Sequence, residues 1–308
     1  MNPFHNQSVV SIRDLGRDRL EAVFEATDRI RTMPPERRRE LCRGRTLGYV
    51  FYEPSTRTRL SFEAAMSSLG GSSLGHADAA SSSAKKGESL ADTVRTISAY
   101  SDVVVLRHPL DGSSRFAAEV SSKPVINAGS GTEEHPTQAL LDIYTIKKEK
   151  GRVDGLNIGI VGDLKHGRTV YSLLYGLSGY DVNVHLVSPP SLRIRPEFAY
   201  GTKRRMKMST YGDLGECAGE MDVLYVTRIQ RERFADAEEY AKVRGSYVVG
   251  LDMLRRMRPD SIIMHPLPRV DEIAPEVDST PHARYFEQAE YGKHVRAALL
   301  HLLLNKDA

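Results

Sequence analysis

The sequence predicts an α/β fold of two doubly wound domains, each with a central parallel sheet. Three observations predict it. Short apolar runs alternate with stretches of helical period along the whole chain. The 308 residues exceed the ~250 at which a single core stops growing. Composition is that of ordinary globular proteins, 40% hydrophobic and 27% charged, which excludes disorder, collagen-like sequence and coiled coil.

Taken in order, strands are predicted at 46–52, 102–106 and 124–127, with a shorter one around 72–75. A helix follows the first of them, with Phe62, Ala65, Met66 and Leu69 on one face. Residues 137–150 form one helix in which Leu140, Leu141, Tyr144 and Ile146 are apolar and Lys147-Lys148 suit the negative pole. Gly151 stops it, and this helix is the expected junction between domains. The second half offers strands at 156–161, 182–187, 222–226, 248–250 and 261–264. An amphipathic helix over 285–304 closes the chain. The expected domains are 1–138, onto which a helix at about 286–308 packs back, and 150–285. Ser81-Ser82-Ser83 reads as a mobile loop.

Several classes of function drop out. No run of ~18 apolar residues occurs, so no membrane-spanning helix is expected. The first residues lack a basic stretch followed by an apolar core, so a cytoplasmic protein is expected. Two cysteines, Cys42 and Cys217, cannot build a disulfide framework or a cysteine-rich zinc site. Charge is nearly balanced, 43 basic against 40 acidic residues, and the run Arg37-Arg38-Arg39 is interleaved with Glu36 and Glu40. It reads as the solvated side of a helix, and no nucleic-acid partner is expected.

In open α/β sheets ligands bind outside the carboxyl ends of the strands. Six predicted strand ends here carry polar residues of one kind: Ser55-Thr56-Arg57-Thr58-Arg59, Arg107-His108, His135-Pro136-Thr137-Gln138, Lys165 to Thr169 with Arg168, Thr227 to Arg233, and His265-Pro266-Leu267-Pro268-Arg269. Such a rim suits a small polyanion. Ser55 or Thr56 is a natural N-cap, so the first turn behind it aims free N–H groups and a positive dipole end at a phosphate. Arg57 and Arg59, two residues apart, point different ways; Arg57 is assigned to the phosphate and Arg59 to a structural ion pair.

Other motifs carry less. Gly71-Ser72-Ser73-Leu74-Gly75 matches a hydrolase nucleophile elbow, but follows a helix instead of a buried strand. Gly162 to Thr169 resembles a P-loop with Arg168 where lysine belongs, but Asp163 would set a carboxylate beside the phosphates. A turn presenting Arg168 to a carboxylate is the better reading, since a guanidinium matches a carboxylate bidentately. His108, His135 and His265 each precede proline; without accompanying ligands they form no expected metal site. One of them is expected to donate a hydrogen bond to a reacting oxygen, and the other two to be held by their proline turns.

Ser55-Thr56-Arg57-Thr58-Arg59 together with His135-Pro136-Thr137-Gln138 resembles the aspartate/ornithine carbamoyltransferase family. Thr227 to Arg233 with His265-Pro266-Leu267-Pro268 resembles its aspartate branch, in order and spacing along essentially the whole chain. The ornithine branch would show a cysteine in place of Leu267 and an Asp…Ser-Met-Gly segment, and neither is present. An ornithine-type acceptor is the alternative. The resemblance implies transfer of the carbamoyl group of carbamoyl phosphate to L-aspartate, an early step of pyrimidine synthesis, with the active site in the cleft between the domains. It implies that Ser55, Thr56, Arg57 and Thr58 bind the phosphate. Arg107, Thr58 and His135 would polarise the carbonyl as the catalytic groups, and Gln138 with the backbone carbonyls of Pro266 and Leu267 would hold the carbamoyl NH2.

On the same resemblance Arg168, Arg228 and Gln230, with Leu267, would hold L-aspartate, and Ser82 and Lys86 would reach in from the neighbouring subunit of a homotrimer. Arg233 would pair with Glu53 when the domains close. Ala84 and Pro54 depart from the family pattern without removing a contacting group. Trimers of this family stand alone or join separate regulatory chains, and both remain open. No cofactor and no metal are expected. The chemistry agrees: carbamoyl phosphate brings its own leaving group, so no nucleophilic side chain is needed. Preorganised donors at the oxyanion are the largest catalytic term, ~10²–10³ in rate each.

Overall fold

The computed structural model describes residues 2–78, 86–132, 134–196, 198, 206–234 and 236–308. The chain divides into two compact units, Met1–Leu141 with Glu290–Ala308, and Asp142–Ala289. The boundaries fall inside two helices, Pro136–Lys150 and Tyr285–Leu304.

Among its described residues the first unit holds β1 (Thr46–Phe51), β2 (Ser72–His76), β3 (Val103–His108) and β4 (Val125–Ser130). They form one parallel sheet in the order β2-β1-β3-β4. The central strands are near-continuous apolar runs because helices cover both faces of a parallel sheet. Val103 to Leu106 are all fully buried, and Val104 and Leu106 pack with Val50, Val94, Ile97 and Val125. The C-terminal helix buries Val295 and Leu299 to Leu304, apart from His301, and its end is tied to the chain start by Asn6 N donating to Leu303 O at 3.0 Å.

The second unit holds β5 (Asn157–Val161), β6 (Asn183–Val187), β7 (Lys207–Tyr211), β8 (Val223–Val226) and β9 (Ile262–Met264). They are parallel throughout, in the order β7-β6-β5-β8-β9. The expected fold class, α/β with a parallel sheet in each half, is what the chain adopts.

Two elements differ from expectation. Residues 248–250 are no strand; Val249 makes only an isolated bridge to Ile273, and a helical turn, Leu251–Leu254, begins at once. An apolar pair before a glycine is too short to hold a ladder. Conversely β7 was not expected. It is the edge of its sheet, with Lys207, Ser209 and Thr210 exposed, so its sequence carries no apolar run.

In both sheets the strand order reverses direction at one point: between β1 and β3 in the first unit, and between β5 and β8 in the second. The connections leave opposite faces there and open a crevice at the carboxyl ends. Gly162 marks this point in the second unit. Its φ of +117° and its approach to Thr227, whose carbonyl oxygen would lie 2.1 Å from any added Cβ, admit no side chain.

Candidate active site

In the first unit the reversal point is filled by the loop after β1 and the helix Thr56–Ser68. Ser55 holds the N-cap position in an extended conformation (φ −156°, ψ 82°), but its hydroxyl makes no bond to its own helix. The first-turn amides are therefore not capped by this side chain, and they keep the positive dipole end of the helix. Arg57 and Thr56 are exposed, whereas Thr58 is buried on the inner side of the same turn. Arg59 donates to Glu63 at 2.9 Å, one helical turn away, the ion pair expected of it.

Thr58 and His135 meet: Thr58 Oγ1 lies 3.5 Å from His135 Nε2, both less than a tenth exposed. His135 lies five residues beyond β4, immediately before the helix Pro136–Lys150, and Gln138 is buried in that helix's first turn. Arg107 is the penultimate residue of β3, within a register shift between Leu106 and His108 that re-aims the strand end. Its guanidinium donates to Ala128 O at 3.1 Å and lies 3.4 Å from the Glu53 carboxylate. Arg107 thus lies in β3, while Thr58 and His135 follow β1 and β4, the strands on either side of it.

His108 is not part of this group. Its Nδ1 accepts from Leu110 N at 3.1 Å, its ring packs edge-on against Tyr52, and burial lowers its pKa. The elbow-like string Gly71 to Gly75 is mostly the edge strand β2, with Ser72 and Ser73 exposed.

In the second unit Arg168 opens the helix Arg168–Leu177 after β5, and Arg228 and Gln230 follow β8. Asp163, fully buried, joins the two loops. It accepts from His166 N at 3.0 Å and faces Gln230 N at 3.5 Å. The carboxylate that spoils a P-loop serves to brace the turn that presents Arg168. Arg228 is gripped by Glu232 through both guanidinium nitrogens, which raises the Arg228 pKa and lowers that of Glu232.

The turn after β9 carries Pro266 and Leu267, both half-buried. Leu267 sits at φ +55°, a left-handed conformation that costs a branched side chain about 1 kcal/mol or more. His265 lies beneath it, 1% exposed. Lys86 is exposed in the chain, and Ser82 lies outside the described residues, as do Ser81, Ser83 and Ala84. Among the described residues no cluster of histidine, cysteine and acidic groups is placed to hold a metal ion.

Two family profiles match the chain: the aspartate/ornithine carbamoyltransferase carbamoyl-P binding domain over residues 7–148, and the Asp/Orn binding domain over 154–303. The chain belongs to the aspartate/ornithine carbamoyltransferase family. Among curated members it is 66% identical to the aspartate carbamoyltransferase catalytic subunit of Nitrosopumilus maritimus, covering 100% of this chain and 99% of the relative. It is 53% identical to that of Thermoplasma acidophilum over 97% and 98%. Among solved structures, the catalytic subunit of M. jannaschii aspartate transcarbamoylase is 48% identical with a TM-score of 0.89, covering 96% of this chain and 97% of that one. Aspartate transcarbamoylase from Trypanosoma cruzi, in complex with carbamoyl aspartate and phosphate, gives 37% identity and a TM-score of 0.91 over 99% and 98%.

For this member of the family, sequence reasoning missed the carboxylates that brace the strand-end loops: Asp163 beside Gln230, Glu232 on Arg228 and Glu272 on His265, and Glu53 in its contact with Arg107. Glu232 had a signal, four residues beyond Arg228. The others pair across 67, 7 and 54 positions or have no periodic relation to their partners, so spacing cannot find them.

Proposed function

We propose that the chain transfers the carbamoyl group of carbamoyl phosphate to the α-amine of L-aspartate, giving N-carbamoyl-L-aspartate and phosphate in pyrimidine synthesis. The first unit takes carbamoyl phosphate. Ser55, Thr56, Arg57 and Thr58 meet the phosphate, and Arg107, Thr58 and His135 donate to the carbonyl oxygen as it becomes an oxyanion. Gln138 and the carbonyls of Pro266 and Leu267 accept from the carbamoyl NH2. The second unit takes aspartate through Arg168, Arg228 and Gln230, with Leu267 beside the amine.

The observation that carries the aspartate reading is the pair of guanidinium groups, Arg168 and Arg228, at the second unit's reversal point. Its acidic groups Asp163, Glu232 and Glu272 are already bonded within the protein. Two cationic groups suit a dicarboxylate and repel the ammonium of an ornithine side chain. The neutral amine attacks the carbonyl carbon, the C–N bond forms, and the tetrahedral oxyanion collapses with loss of phosphate. The departing phosphate takes the amine proton, so no side-chain base is required.

The same reading makes the protein a homotrimer in which Ser82 and Lys86 serve the neighbouring subunit, with or without separate regulatory chains. It also places the reaction in the cytoplasm. Both thiols are free and buried, Cys42 pushed up to about 12 and Cys217 to about 11 by burial, so neither is a reactive nucleophile. A ureido assay with aspartate and ornithine side by side tests the function. Turnover of aspartate alone is expected; turnover of ornithine alone would overturn the aspartate reading.

A further inference from the structure

His265 is spent entirely inside the protein. The Leu267 amide donates to its Nδ1 at 2.8 Å, so that nitrogen carries no hydrogen. The proton therefore sits on Nε2, which lies 2.6 Å from Glu272 Oε1. The other carboxylate oxygen of Glu272 accepts from the amides of Val270 and Asp271, each at 3.1 Å. Burial, the largest single influence, pushes the Glu272 carboxyl up, but His265 and the backbone amides together outweigh it and the net shift is downward. His265 N donates to Gln288 Oε1 at 2.9 Å, and Gln288 Nε2 donates to Asp142 Oδ1 at 2.6 Å. Tyr225 Oη donates to the second oxygen of Asp142 at 2.8 Å. The side-chain members His265, Glu272, Gln288, Asp142 and Tyr225 are each 6% exposed or less.

We propose that His265 is a positioning residue: with Glu272 fixing its tautomer, it holds the Leu267 amide and thereby the left-handed turn that aims the Pro266 and Leu267 carbonyls at the carbamoyl NH2. The inference rests on the proposed role of those two carbonyls. A positive φ at leucine does not persist unaided, and the hydrogen bond from the i+2 amide to the side chain at position 265 is the restraint on it. Protonation at Nδ1 would set two hydrogens against each other, so the Glu272 contact is what keeps the acceptor face turned to Leu267.

The test uses acetyl phosphate, which carries a methyl group where carbamoyl phosphate carries NH2. KM for carbamoyl phosphate and the inhibition constant of acetyl phosphate are taken from initial rates, for the wild type, His265→Phe and His265→Asn. The wild type is expected to favour carbamoyl phosphate. His265→Phe removes the acceptor and should lose about tenfold of that preference, one hydrogen bond's worth, through carbamoyl phosphate alone. His265→Asn should restore it, because an asparagine oxygen accepts from the i+2 amide in an Asx turn. Full preference in a folded His265→Phe overturns the inference. If the Phe variant does not fold, a folded Asn variant without the preference overturns it equally. Absence of any preference in the wild type would instead refute the assignment of the two carbonyls to the NH2 group.

Discussion

Arg228 is a site residue whose present partner is readily exchanged. Its guanidinium holds Glu232, but the carboxylate side chain is 54% exposed, so the pair contributes little to stability and a substrate carboxylate can take the place of Glu232. Arg228→Ala is accordingly expected to raise KM for aspartate roughly 10–100-fold, the value of a charge-assisted contact. KM for carbamoyl phosphate should move by less than about threefold in the same variant, since its groups lie elsewhere and distant sites act independently. Steady-state rates with each substrate varied in turn decide it, and equal rises in both constants would remove Arg228 from the aspartate site. At this scale the sequence was legible wherever a strand end met a cation, a hydroxyl or an imidazole. Position alone put Arg107, three histidines and Arg168 at strand ends; the choice of His135 among the histidines came from the family resemblance. What escaped it were partners brought close only by folding, such as Glu272 beneath His265 and Glu53 beside Arg107.

Among elements, the C-terminal helix Tyr285–Leu304 carries a titratable group in an unfavourable place. Burial, then Lys293 and Arg31, lower the His294 pKa to about 4 against 6.5 for the free side chain; Glu290 opposes and Arg38 adds to the effect. The unfolded chain therefore binds a proton before the folded one does. The neutral imidazole contributes its stability above pH 6.5, and that contribution is lost as pH falls from 6.5 towards about 4. Urea unfolding midpoints at pH 7.5 and pH 5 should show a steeper acid loss for the wild type than for His294→Gln; identical losses would count against this account. The elements themselves were legible in proportion to their burial. β3 and β8 announce themselves as unbroken apolar runs because helices cover both faces. β7 does not, since an edge strand with Lys207 and Thr210 in solvent has a loop's composition. Residues 248–250 show the opposite error, apolar letters without the length for a ladder.

For the molecule as a whole, the chain supplies two reversal points of one kind, one in each parallel sheet, and each collects side chains from adjacent strand ends. That symmetry of design follows from the α/β pattern, and the pattern was legible from the alternation of apolar runs and helices. Assembly was not, because an exposed lysine looks the same in sequence whether it serves its own chain or another. Lys86 is such a residue, and the proposed trimer assigns it to the neighbour's site while Arg57 serves its own. The two assignments make a quantitative prediction. Arg57→Ala and Lys86→Ala should each be nearly inactive as pure proteins. When equal amounts are dissociated and reassociated together, a site works if its own chain keeps Arg57 and its neighbour keeps Lys86. Each condition holds for half of the chains, so random assembly restores about a quarter of wild-type activity in a cyclic trimer. Activity assays on the mixture, with light scattering to confirm three chains per particle, read this directly. A mixture as inactive as its components would show that each chain completes its site alone, or that Lys86 and Arg57 belong to the same chain's site.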